Sequence, residues 1–306
     1  MMKAMISGVI NVYKEKGYTS HDVVARLRGI FKQKKIGHTG TLDPEAEGVL
    51  PVCLGNGTKL CGMLTDKEKE YVAELLLGIV TDTQDMTGRV LSEKEVAVTE
   101  EEAERAVMAF QGVYEQLPPM YSACKVDGKR LYELAREGKE VERKRRPVTI
   151  HALEILSMEL PRIRIRVVCS KGTYIRTLCH DIGERLGCGG VMCSLLRTRV
   201  DRFTLEEAKK ISEIEAAFRE GNTPVILVEE MFSHLPSIAV KEAFTGALHN
   251  GNPLFLRQIT GKSGWTDGEE TKVYDAQGQF YGIYAFQVMK GKFMPVRMFP
   301  AARETV

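Results

Sequence analysis

The sequence predicts an α+β fold: a mixed, mostly antiparallel sheet with flanking helices, followed by a small β-rich module at the C-terminus. Three observations carry this. Residues 162–169, RIRIRVVC, alternate strictly between charged and apolar side chains, the period of a strand with one wet face. Thr19 and Asp22 form a T-x-x-D capping pair ahead of Val23, Val24 and Leu27 at helical spacing. After Pro236 the texture changes to short apolar runs split by Asn250-Gly251, Asp267-Gly268, Gln277-Gly278 and Lys290-Gly291, the pattern of a small all-β module.

Each element has its own signal. Residues 6–13 are partly alternating and β-branched and stop at Lys14–Gly17, which predicts a strand and turn. The capped helix covers 21–32. Residues 36–62 are rich in glycine around the apolar run Val49–Leu54, so this stretch is loop-rich, and loops on a scaffold are where sites sit. A strand is expected over 70–78 and a polar turn over Thr81–Gly88. An acidic helix is expected over 99–111, with Thr99 as N-cap and Glu100–Glu102 in its first turn. Residues 118–148, bracketed by Pro118, Pro119 and Pro147, are polar, basic and without a clear core face, and predict an inserted subdomain. Helices follow over 176–186, from Leu178, Ile182 and Leu186, and over 205–220. The division expected is 1–236 for a first domain, interrupted by the insertion, and 237–306 for the C-terminal module.

Composition sets bounds. The chain of 306 residues is long enough for about two domains at the usual ~100–200 residues each. With 43% hydrophobic and 27% charged residues it has a globular balance. No run of ~18 apolar residues occurs, so no membrane partner is expected, and the N-terminus lacks the pattern of a signal peptide. Seven cysteines with no C-x-x-C predict reduced thiols and a cytoplasmic location, with no metal site. The net charge of +2 conceals an asymmetry. Residues 125–202 carry net +8 and the remainder net −6, and such a basic block marks a polyanion-binding face or a solvated helical insertion.

The common nucleotide, serine-hydrolase and zinc-protease motifs are absent. The densest segment is Gly37–Pro44, GHTGTLDP. It puts Asp43 in a stiff, glycine-rich loop before an apolar run, a place for a nucleophile, although Asp-Pro also makes ordinary turns. In Gly172–Leu178, GTYIRTL, Arg176 near a helix start is electrostatically unfavourable unless an anion faces it; Asp43 or a phosphate would serve, and a plain surface arginine is the simpler reading. Tyr71, beside Lys69, can stack on a base or sit in the core. Arg162, Arg164 and Arg166 share one strand face, which fits a wet sheet face better than an RNA-facing stripe.

Together these segments resemble the TruB family of tRNA pseudouridine synthases, in the stand-alone bacterial form. The resemblance runs through GHTGTLDPEAEGVLPVCLGNGTK at 37–59, KEY at 69–71, TDTQDMTG at 81–88, PPMYSACKVDGKRLYELAREGKEVERKRRPV at 118–148 and SKGTYIRTLCHDIGERLGCGG at 170–190. Glu15 departs from it, standing where the family usually has proline. The resemblance implies the pseudouridine synthase fold with a PUA-like RNA-binding module. It implies that the T-loop uridine at position 55 of tRNA is isomerised to pseudouridine, without cofactor or metal. It implies catalytic roles for Asp43 as nucleophile, Tyr71 as the stacking tyrosine and Arg176 as partner of the aspartate. His38, Tyr174, Leu195, Lys69 and Asp85 would bind the target nucleotides, and Arg143, Lys144, Arg145 and Arg146 would contact the RNA backbone. The partner expected is the T-arm stem-loop of tRNA, met by a monomer without guide RNA. A guide-RNA-dependent relative, or an RNA-folding protein without essential catalysis, are the alternatives; the long insertion and the intact Asp43, Tyr71 and Arg176 set weigh against them.

Overall fold

The computed structural model describes residues 5–126, 128–139 and 141–299. The chain opens with β1 (Gly8–Lys14), α1 (Ser20–Phe31), β2 (Ile36–His38), β3 (Glu47–Leu54), α2 (Cys61–Thr65) and β4 (Lys69–Leu77). Next come β5 (Ile79–Thr81), β6 (Val90–Glu93), α3 (Glu100–Met108) and β7 (Gly112–Gln116). The insertion holds β8 (Lys125–Val126), β9 (Lys129–Arg130) and α4 (Leu131–Arg136). Then follow β10 (Arg146–Glu159), β11 (Arg162–Cys169), α5 (Ile175–Arg185), β12 (Gly190–Val200), β13 (Phe203–Thr204), α6 (Ile211–Arg219) and β14 (Ile226–Leu227). The C-terminal part contains β15 (Ser237–Val240), α7 (Thr245–His249), β16 (Leu254–Phe255), β17 (Ile259–Gly261), β18 (Glu270–Tyr274), β19 (Phe280–Gln287) and β20 (Lys292–Met298).

The main sheet runs β14-β1-β3-β12-β4-β11-β10-β7, with β2 beside β3 and β13 beside β12. Its pairings are antiparallel except β3 with β12, so the sheet is mixed and mostly antiparallel. Strands β1 and β3 are covered on both faces, which explains the near-continuous apolar run at 49–54. Leu50, Val52 and Leu54 of β3 join Ile10 and Val12 under α1, while Val49 and Cys53 point the other way. Further along, Ala73, Leu75, Ile163, Ile165 and Val167 pack under α5 with Leu178 and Ile182. The opposite face of β11 is wet, and there Arg162 pairs with Glu74, and Arg166 with Glu70 and Glu154.

Both capping boxes form, Thr19 with Asp22 and Thr99 with Glu102. Three differences from the sequence expectation have physical causes. The helix expected over 205–220 begins only at Ile211, because Lys209 pairs with β1 instead: its N–H donates to Asn11 O (2.9 Å) and its carbonyl accepts from Tyr13 N (2.8 Å). The insertion is narrower than 118–148, since β10 starts at Arg146, paired with Gln116 of β7, and it does have a core face, Leu131 and Leu134 of α4. Strands β10 and β12 carry no clean alternation. Bulges interrupt both, and β12 is held by β3 on one side and β4 on the other.

The second sheet, β16-β20-β19-β18-β15-β17, starts at Ser237. It rests on the main sheet through Ile283, Phe280 and Phe299, which pack with Phe232, Phe203, Val9 and Val49. Lys59 Nζ donates to Met298 O (2.7 Å) across the same junction, and Arg297 donates to Lys59 O. No helix among the described residues is long and apolar enough to cross a membrane.

Candidate active site

Asp43 lies on the loop between β2 and β3, and that loop is clamped at several points. Leu42 N donates to Ser20 Oγ (2.9 Å), Gly17 N to Pro44 O (2.9 Å), and Ala46 N to Asp43 O (3.1 Å). The fully buried Lys14 donates from Nζ to Pro44 O (3.0 Å) and Ala46 O (2.6 Å). Burial lowers its ammonium to about 8, although Asp43 and Glu47 pull the other way. From the opposite side Arg197 of β12, also fully buried, donates to Val49 O (2.6 Å) and Gly40 O (3.3 Å). Glycine is required at 48: its φ is +104°, and a Cβ there would overlap the Arg197 backbone.

Arg176 occupies the first turn of α5 and grips Asp43 with a two-pronged contact. Nε lies 2.9 Å from Oδ2 and Nη2 donates to Oδ1 at 3.2 Å. The guanidinium also donates to Thr83 O (3.0 Å) and Tyr121 O (2.8 Å), so its plane is fixed by three separate segments. Arg176 is 5% exposed whereas the Asp43 side chain is 37% exposed, so the carboxylate is held from behind and reachable from in front. Burial raises the Asp43 carboxyl above the ordinary aspartate range, Arg176 opposes this, and Asp85 adds to the rise. The arginine therefore offsets the cost of placing a carboxylate here more than it depresses its pKa.

Asp85 sits in the turn between β5 and β6. Its Oδ1 accepts from Thr83 Oγ1 (2.7 Å), Thr87 N (3.0 Å) and Thr87 Oγ1 (2.5 Å), leaving Oδ2 at 3.9 Å from Arg176 Nη1. A cavity of about 170 Å³ opens in front of Asp43, and Asp85, Met86, Thr87, Met192 and Leu195 line it. The bulge in β12 at Cys193 brings Met192 and Leu195 to the same face of the strand, and residues 192–195 all border this cavity. Lys16 and Glu45 form an ion pair (3.2 Å) at its rim.

Tyr71 is buried on β4 directly opposite Arg197 of β12. Burial raises its phenol, and the Arg197 guanidinium works against that rise. Tyr174 is the N-cap of α5; its N–H donates to Gln116 Oε1 (2.8 Å) and its carbonyl accepts from Gln116 Nε2 (3.0 Å). His38 ends β2, where Nδ1 accepts weakly from Gly40 N (3.4 Å) and the ring meets His21 edge-on at 5.4 Å. Burial, reinforced by His21 and the Arg197 guanidinium, lowers it to about 4, so it is neutral near pH 7.

The structure thus brings together Asp43, Arg176, Asp85 and Leu195, with Tyr71 one strand away. It does not bring Lys69 to them. Lys69 Nζ donates to Thr65 O (2.6 Å) and Lys67 O (2.5 Å), and so closes the C-terminal end of α2. Of the basic run, Arg143 donates to Pro118 O (3.0 Å) and Arg145 to Glu115 O (2.9 Å), bracing the base of the insertion, while Lys144, Arg145 and Arg146 are exposed. Sequence reasoning missed Lys14, Gln116 and Arg197. Arg197 had a signal, a cation inside the apolar run VMCSLLRTRV, but its strand was not recognised. The seven cysteines are free thiols, and no cluster of metal-ligating side chains occurs among the described residues.

Known proteins are similar to this chain along nearly its whole length. Residues 28–175 match the TruB family pseudouridylate synthase N-terminal domain, and 176–228 match the tRNA pseudouridylate synthase B C-terminal domain. The chain is 53% identical to a tRNA pseudouridine synthase B of Lachnoclostridium phytofermentans, over 96% of this chain and 100% of that one. It is 46% identical to the protein of the same name in Alkaliphilus oremlandii, over 91% and 92%. Among solved structures, a chain of an H/ACA RNP bound to a substrate RNA containing 2'-deoxyuridine superposes with a TM-score of 0.68 at 25% identity, over 97% of this chain and 86% of that one. An archaeal box H/ACA sRNP chain gives 0.65 at 25% identity, over 96% and 86%. With a loop aspartate gripped by an arginine at the head of a helix, and with relatives this similar along nearly its whole length, the chain belongs to the TruB family of pseudouridylate synthases.

Proposed function

We propose that this chain isomerises the T-loop uridine at position 55 of tRNA to pseudouridine, as a monomer in the cytoplasm and without guide RNA. The observation that carries the reading is the Asp43 carboxylate, fixed by Arg176 and open to a cavity of about 170 Å³. That cavity admits one base and not a helix, so the target nucleotide must leave its stack. Asp43 then acts at C1′ of the ribose, by adding to it or by assisting formation of a glycal. The bond from C1′ to N1 breaks, the uracil turns, C5 bonds to C1′ as Asp43 is released, the C5 proton is lost and N1 takes up a proton, so that the product is an isomer of the substrate. Tyr71 stacks on the base, and Leu195 and Asp85 border it. The exposed Lys144, Arg145 and Arg146 lie at the mouth of the insertion, where they suit phosphate contacts. His38 and Tyr174 hold neighbouring nucleotides. Seven free thiols support a reducing compartment.

The test is incubation of the purified protein with an unmodified T-arm stem-loop and no other RNA. Pseudouridine should form at the single T-loop position, and Asp43→Asn should bind the RNA within a few-fold yet form none. Product that appears only with an added guide RNA would instead favour the mode implied by the H/ACA neighbours.

A further inference from the structure

The turn between β5 and β6 contains a residue that the reading above leaves unused. Gln84 has φ +63°, one of three non-glycine residues in the left-handed region among those described. That conformation is unfavourable for a side chain with a Cβ, and it persists only where surrounding bonds enforce it. Here three bonds do so. Thr177 Oγ1 donates to Gln84 Oε1 (2.8 Å), Met192 N donates to Gln84 O (3.2 Å), and Gln84 N donates to Thr81 O (3.3 Å). The two groups that face Arg176 Nη1, Thr83 O at 3.0 Å and Asp85 Oδ2 at 3.9 Å, stand immediately before and after this residue. Thr177 is buried and is the next residue after Arg176 on α5. The turn and the guanidinium are therefore anchored at the same point of one helix.

We propose that Gln84 is a positioning residue: its bond to Thr177 holds Thr83 and Asp85 around Arg176, and so fixes the guanidinium on Asp43. An extended residue at 84 would carry Thr83 O and Asp85 apart, and the guanidinium would lose one of the acceptors that set its plane. The side chain, not only the backbone, matters, because the amide is the part of the turn that reaches α5. This rests on the pseudouridylation reading and adds to it a residue that does not touch the RNA.

The experiment compares Gln84→Ala, Gln84→Gly, Thr177→Val and the Gln84→Ala/Thr177→Val double variant on the T-arm stem-loop, measuring kcat, KM and RNA affinity, with thermal melts alongside. Loss of one such bond should lower kcat about tenfold. Each single variant should show this loss with KM and affinity within twofold, and the double variant should lose about tenfold and not a hundredfold. Gln84→Gly accepts the left-handed backbone without strain, so it should melt no lower than Gln84→Ala and still lose kcat. The acid limb of kcat against pH should move up in Gln84→Ala, because Asp43, faced by Arg176, Asp85 and Lys14, would lose part of the arginine's pull. Wild-type kcat in Gln84→Ala, multiplying losses in the double variant, or a change confined to KM would each overturn the proposal. Inactivity of the wild-type chain, or activity of Asp43→Asn, would overturn the underlying reading instead.

Discussion

Replacing Arg176 by lysine tests the site at its centre. The guanidinium makes two contacts to Asp43, at 2.9 and 3.2 Å, and one each to Thr83 O and Tyr121 O. An ammonium keeps the charge but not the planar fork, and it cannot reach acceptors on three segments at once. At least two of the four contacts are lost. Charge-assisted bonds in such a setting contribute about 1.5–3 kcal/mol each. A loss of about 3 kcal/mol in the transition state corresponds to a fall in kcat of roughly 150-fold. The fold should survive, because Asp43 is 37% exposed and water can solvate the freed oxygen. The sign of the pH effect also follows. Burial already raises the Asp43 carboxyl and Arg176 opposes the rise, so a weaker partner lets it rise further. Activity that needs ionised Asp43 should then appear at higher pH than in the wild type. Single-turnover pseudouridine formation on a saturating T-arm stem-loop, measured across pH, checks both effects. A lysine variant within threefold of wild type, with an unmoved acid limb, would refute the fork as the device that holds the carboxylate.

Lys14→Met should leave the acceptors of Pro44 and Ala46 buried without their donor, costing about 2–3 kcal/mol in urea unfolding and lowering kcat by loosening the Asp43 loop; unaltered stability would show that the clamp is idle. His38 is held at about 4 in the fold against an ordinary 6.5, so the unfolded chain takes up a proton that the folded chain refuses between those values. Stability should therefore fall as pH drops from 6.5 to 4, by at most ~3 kcal/mol from this group, and His38→Gln should flatten the slope seen in denaturant titrations at several pH values. Neutralising the exposed Lys144 and Arg146 should weaken tRNA binding and reduce the slope of log affinity against log salt by about one per lost phosphate contact. An unchanged slope would place the RNA elsewhere.

The elements with strong local signals were legible in the sequence. Strand β11 alternates because one face is wet and the other dry, and both capping boxes are written in neighbouring residues. Strands β10 and β12 were not, because their environment is set by partners far along the chain and their bulges break the period. The same distinction holds at the site. Asp43 and Arg176 stand out through glycine-rich or helix-start surroundings, and the resemblance to a known family joined them. Lys14 and Arg197 are ordinary basic residues in the sequence, and only folding shows that both are buried with carbonyl oxygens as their acceptors. Lys69 shows the converse. It sits beside Tyr71 in sequence, yet its ammonium turns to the end of α2, since a buried cation goes to the nearest cluster of acceptors.

The position of β12 bears on how the protein is made. Strands β14, β1 and β3 on one side, and β4, β11, β10 and β7 on the other, are joined only through this strand. A ribosome must release residues 190–200 before the two halves share a ladder, and until then Asp43 and Arg176 belong to separate assemblies. An emerging chain shorter than this exposes the edges of β3 and β4, both open to wrong partners. Joining of the two halves and pairing of Asp43 with Arg176 thus depend on one strand, available after roughly two-thirds of translation.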